Sequence, residues 1–216
     1  MEDRTSHGLY LEMTDRSPSD YVQERSGVVA TQRGSSPVTV WRNAHRDRAD
    51  LPRVIDEFST LAVYEVDATF VAPDELPDDI RSLHFVRTPR PGQGSLSGRP
   101  TTGVSVVLIS PRAPADAQAL RDWADFVHIR YIAQVAVPGY TMITPYINER
   151  YDAHPRFMHL YEMDCDDPER AFKAMTPLVT QRIGPPASDA WKQWATCPSL
   201  RIMYVNTFER IDETRV

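Results

Sequence analysis

Val63-Tyr64-Glu65-Val66-Asp67 and Leu160-Tyr161-Glu162-Met163-Asp164 repeat one pattern, apolar–Tyr–Glu–apolar–Asp, 97 positions apart. The match extends outward. GLYLEMTDRSPSD (8–20) and GVSVVLISPRAPAD (103–116) each start at glycine, run through a strand-like stretch and a proline turn, and end on an Asp suited to cap a helix. A second strand-like run follows in each half, SPVTVWRNAH (36–45) and GYTMITPYIN (139–148). Drifting offset with conserved order is the signature of a diverged internal duplication.

The second copy is the clearer. GVSVVLIS reads as a strand and 114–134 as a helix, because Leu120, Trp123, Ala124, Val127 and Tyr131 recur at helical spacing. VPGY (137–140) stops that helix. Strands are expected at 139–148 and 156–164, a second helix at 167–184 with its Asp-Pro start and Gly end, and a closing strand at 200–211. The order β-α-β-β-α-β is the ferredoxin-like split unit. In the first copy the helix must fit within 18–33. The stretch after VYEVD has room for little more than one helical turn before a strand at 82–88. The expected fold is α+β: two tandem ferredoxin-like units, 8–90 (trimmed) and 103–212, whose antiparallel sheets form an α+β barrel. A Pro/Gly/Ser-rich linker, 91–102, joins them and is expected to be mobile.

The 216 residues carry a net charge of −6, with 41% hydrophobic and 25% charged residues and no run of Lys or Arg. That argues for a globular chain with a packed core and against a nucleic-acid partner. No apolar run approaches the roughly 18 residues a membrane span needs, and MEDRTSHGLY has no apolar segment of a secretory signal. A cytoplasmic location with Cys165 and Cys197 as reduced thiols is expected, and neither cysteine has metal-ligand spacing.

Trp123-Ala124-Asp125-Phe126-Val127-His128-Ile129, followed by Val137-Pro138-Gly139-Tyr140, resembles the first helix and turn of EthD-like members of the dimeric α+β barrel superfamily. LYEMD resembles that family's third strand. The resemblance covers 103–211 and reaches 8–90 only through the internal repeat. It implies a barrel of two four-stranded sheets, here from one chain, with a homodimer as a further expectation. It spans cofactor-free monooxygenases, polyketide cyclases, isomerases, dehydratases and decarboxylases, and haem enzymes, so fold alone does not fix function.

His128 lies about 80° from the centre of the helix stripe, at the edge of the buried face, and a near-neutral imidazole suits acid–base work. His159 and Tyr161, two apart on a strand, share one face. These three are the candidate catalytic residues. Trp123, Tyr131, Tyr140, Tyr146 and Trp191 are the candidate substrate-binding residues, with Trp194 a further pocket aromatic; core packing competes for each. Asp125 and Arg130 read as solvated charges. GQGSLSG (92–98) lacks nucleotide-loop and nucleophile-elbow spacing, and His154 with His159 does not make a metal pair. The expectation is therefore an enzyme without cofactor or metal that moves protons on a hydrophobic aromatic or polyketide-like molecule in secondary metabolism: a cyclase, dehydratase, decarboxylase or isomerase. A cofactor-free monooxygenase is the close alternative, and a non-catalytic small-molecule-binding protein is the rival from another class.

Overall fold

A computed structural model of the chain describes residues 6–211; the first five residues of the MEDRT stretch and the expected unit boundary at Asp212 lie outside the described residues. The strands are β1 (Gly8–Thr14), β2 (Thr39–Asn43), β3 (Thr60–Val66), β4 (Ile80–Arg87), β5 (Gln93–Gly94), β6 (Gly103–Pro111), β7 (Tyr140–Asn148), β8 (Phe157–Met163) and β9 (Leu200–Arg210). They form one antiparallel sheet in the order β4-β1-β3-β2-β9-β6-β8-β7-β5, and β4 also pairs with β7, so the sheet closes on itself within one chain. The result is a mixed α+β, barrel-like architecture.

Each half contributes four strands in the same spatial order, last-first-third-second. The pairing register repeats too. Gly8 faces Val66 and Tyr10 faces Tyr64, while Gly103 faces Met163 and Ser105 faces Tyr161. The two strand-opening glycines answer to close approaches. A Cβ on Gly8 would lie 2.3 Å from the Phe85 carbonyl oxygen, and one on Gly103 would lie 2.2 Å from the Pro168 ring.

Strands β1 and β8 are buried along their whole length. One face looks into the barrel, where Leu9, Leu11, Leu61, Phe85, Val106, Leu108, Met158 and Phe208 pack together. The other is covered by helices, on Tyr10, Tyr21 and Tyr64 in the first half and on Ile129, Ile132 and Tyr161 in the second. Burial on both faces explains why these strands read as continuous apolar runs.

The helix over the first half runs from 18 to 30 and that over the second from 114 to 134; each contains a π-helical turn, Val22–Ser26 and Ala124–His128. A π turn inserts one residue and rotates everything after it about the axis. The expected stripe is therefore displaced. Beyond Ala124 the inward residues are Asp125, Ile129 and Ile132, while Val127 and Tyr131 are only half-buried. Helix Pro168–Ile183 matches its expected span. A further helix, Asp189–Ala195, capped by Ser188 accepting from the Trp191 amide, was not legible in the sequence pattern.

Two connections differ from expectation. No helix joins β3 to β4. The 91–102 segment does not simply hang between the halves: Gln93 and Gly94 form β5 on the edge of β7. No helix among the described residues is long and apolar enough to cross a membrane.

Candidate functional site

A cavity of about 460 Å³ lies between the outer face of the second-half sheet and its three helices. Such a volume falls within the roughly 300–1,000 Å³ of small-molecule sites. The sheet supplies His159 and Tyr161 from β8; helix 114–134 supplies Trp123 and His128; the helices beyond supply Met175, Trp191 and Trp194. Asp50 and Leu51 complete the wall from the β2–β3 connection of the first half. That connection is tied down where it crosses over: the Val54 and Ile55 amides donate to the Met203 carbonyl, and Arg48 donates to Glu169 (2.7 Å) and Asn206 (3.1 Å).

The π turn decides the chemistry of the wall. It turns Asp125 inward until only 3% of the residue is exposed. Its Oδ1 accepts from His159 Nε2 at 2.9 Å and its Oδ2 from Arg90 Nη1 at 2.9 Å, with Arg121 Nε 3.7 Å away. Gln93 Nε2 donates to the Asp125 carbonyl at 2.5 Å. A proton on Nε2 leaves the lone pair of His159 on Nδ1. The carboxylate fixes this tautomer and offsets positive charge arriving on the ring.

His128 is held differently. Its Nδ1 donates to the Trp194 carbonyl (3.0 Å) and the Trp194 indole donates back to the His128 carbonyl (3.1 Å). The imidazole stacks on Trp194 at 5.2 Å with planes 6° apart, and Trp123 lies 5.0 Å away. Burial pushes its pKa down from 6.5 to about 4, against the smaller upward pull of the Trp194 carbonyl, so the ring is neutral at pH 7 with its lone pair on Nε2. Burial also raises the Tyr161 hydroxyl far above its ordinary value, so it stays protonated.

His128, His159, Tyr161, Trp123 and Trp191 thus meet around one cavity, joined by Trp194. Three expected residues fall elsewhere. Tyr131 lies outside this cavity: past the π turn it is half-buried against the Ile129–Ile132 cluster and faces a groove shared with Phe126 and Arg130. Tyr146 points into the barrel, on the opposite face of the sheet from His159, with Met158 and Leu160. Tyr140 stands one layer back, edge-on to Tyr161 at 5.8 Å, its hydroxyl buried without a hydrogen-bond partner. Asp125 was expected to be solvated and is instead a buried partner of His159. Its position midway along an amphipathic helix gave no sign of this, because only the π turn brings it in. Gln93 came from the segment expected to be a free linker, and Arg90 is the last residue of the unit before it. His154 donates to or accepts from Ser110 Oγ at 2.9 Å, away from His159. Among the described residues, no group of three or more His, Cys, Asp or Glu side chains is placed to hold a metal ion.

The corresponding space in the first half is filled. Arg25, on that helix's π turn, pairs with Glu12 at 2.7 Å, both buried. Tyr21 donates to Glu12 and meets Tyr64, each at 2.7 Å.

No protein-family model matches the chain, and no curated protein matches it. Among solved structures, the chain is similar to an anthrone oxidase-like protein at 18% identity, covering 98% of this chain and 94% of that one, with a TM-score of 0.58. It is also similar to a mutant chlorite dismutase from Candidatus Nitrospira defluvii at 13% identity, covering 97% and 93%, with a TM-score of 0.53. A proposed monooxygenase from Fusobacterium nucleatum subsp. nucleatum follows at 7% identity, covering 96% and 93%, with a TM-score of 0.49. At these identities the likeness is one of fold, the ferredoxin-like α+β fold.

Proposed function

We propose that the chain is a tandem of two ferredoxin-like units of the EthD-like, dimeric α+β barrel kind, with a cofactor-free oxygenase site in the second unit alone. The repeated strand order and matched registers support the tandem reading. The observation that carries the catalytic reading is the Asp125–His159 pair on the wall of an aromatic-lined cavity.

His159 Nδ1 takes a proton from an acidic C–H or O–H of a flat aromatic substrate, and Asp125 balances the resulting imidazolium. Protonated Tyr161 faces the same space and donates a hydrogen bond to the oxygen on which negative charge collects, while the Nε2 lone pair of neutral His128 accepts from a substrate hydroxyl. Trp123, Trp191 and Trp194 hold the ring system and exclude water, which strengthens both interactions. The substrate carbanion then reacts with dioxygen. For a ring methylene of the anthrone type, the hydroperoxide formed loses water: the carbon gains a carbonyl oxygen, the second oxygen leaves in water, and the substrate supplies all the electrons. The fold neighbour described as anthrone oxidase-like suggests this substrate class.

Anthrone offered to the purified protein in air should consume dioxygen in equimolar amount with product. His159→Ala should lower turnover by about 100-fold or more, the usual cost of losing a general base. Equal turnover without oxygen would replace the oxygenase reading by simple proton transfer, as in a cyclase or isomerase. Saturable binding without turnover would leave a ligand-binding protein.

A further inference from the structure

We infer that a second cavity, beside the start of helix 114–134, is a binding site for an aromatic carboxylate. This inference does not depend on the function proposed for the first cavity. The second cavity measures about 570 Å³ and lies between the first turns of that helix and the ends of β7 and β8. Pro114, Ile147 and Phe157 give it apolar walls, and Arg121 and Arg156 bring two guanidinium groups to it.

Neither cation is satisfied as a surface arginine would be. Among the described residues, no carboxylate lies within 4.0 Å of Arg156. Its Nη1 donates to the carbonyls of Asn148 (2.7 Å) and Arg150 (3.0 Å), and its guanidinium carbon lies 4.9 Å from the Tyr151 ring centroid and 5.8 Å from that of Phe157. Arg121 has one acidic neighbour within reach, Asp125 at 3.7 Å, which already serves His159 and Arg90. Arg121 Nη2 is buried with no hydrogen-bond partner. Burial destabilises both charges; Arg90 and Arg156 repel Arg121, an effect that Asp125 and Asp122 oppose without reversing it. Among the described residues the one carboxylate on the wall is that of Asp152, at the exposed rim, where solvent screens it.

Two under-compensated guanidiniums in a chain of net charge −6 call for an anion, and a fork of N–H donors fits a carboxylate. The Phe157 and Tyr151 rings and the proline walls accept a flat apolar body. A bare inorganic anion would use the cations and leave those walls unfilled. A carboxylate with an aromatic ring uses both.

Benzoate is the probe. In heteronuclear NMR, the Nε–H signals of Arg121 and Arg156 should shift saturably with benzoate. Benzamide, equal in shape and without charge, should bind at least about tenfold more weakly, as should sulfate. Arg121→Gln and Arg156→Gln should each weaken benzoate by about tenfold or more. Ala117→Trp keeps both arginines and fills the cavity, so it should abolish the shifts while the thermal transition persists; this variant guards against arginine variants that fail to fold. Stationary arginine signals, equal affinity for benzamide or sulfate, or undiminished binding in Ala117→Trp would each overturn the assignment.

Discussion

Asp125 and His159 are 34 residues apart, one on a helix and one on a strand, and meet at 2.9 Å with their side chains 4% and 5% exposed. A carboxylate this deep is costly unless its charge is compensated. Arg90 compensates it from a third segment. The pair is therefore held rather than incidental.

Asp125→Asn should keep the shape of the site while removing the charge that fixes and stabilises the His159 ring. Turnover should fall by about 100-fold or more, with KM changing much less and the pH–rate profile moving. Arg90→Gln should give a smaller loss in the same direction. Steady-state kinetics across pH check both, and an unchanged profile in Asp125→Asn would remove the carboxylate from the mechanism.

Stability should fall below pH 6.5 in a way traceable to His128. The folded pKa is about 4 and the unfolded value 6.5. Between them the unfolded chain binds the extra proton, so stability rises with pH. The contribution is fully present above about pH 6.5 and is lost as pH falls toward about 4, up to about 3 kcal/mol in all. Urea unfolding at pH 7.5 and pH 5 should show a smaller difference for His128→Phe than for the parent; equal differences would count against a neutral ring.

The first half should be governed by its buried ion pair. Glu12→Gln strands Arg25 in an apolar setting and should cost about 3–5 kcal/mol. The double substitution Glu12→Leu with Arg25→Met removes both charges and should recover most of that loss. Denaturant titration of Glu12→Leu, Arg25→Met and the double tests the coupling, and additive losses would contradict it.

Purified protein should be colourless. A Soret band after expression with a haem precursor, or stoichiometric metal by elemental analysis, would redirect attention to His128 and His159 as ligands and away from the cofactor-free reading.

The sequence by itself determined the strands and their order in each half. Alternation, glycine starts and proline turns are local signals, and a register with Tyr64 and Tyr161 in matching places follows from short-range pattern. It also singled out His159 and Tyr161, which share one face of a strand by alternation, and His128, which helical spacing places at the edge of the buried face and which the EthD-like resemblance picked out. The tertiary structure decided the rest. A helical stripe read at a constant 3.6-residue period cannot register a π turn, which takes in one extra residue. That turn brings Asp125 in and puts Tyr131 out. The strand face of Tyr146 became meaningful only once the barrel gave the sheet an inside. Arg90, Gln93, Asp50 and Leu51 reach the site along segments with no periodicity to read. Local spacing encodes which face a side chain takes on its own element; which distant segment arrives opposite it depends on how the whole chain closes.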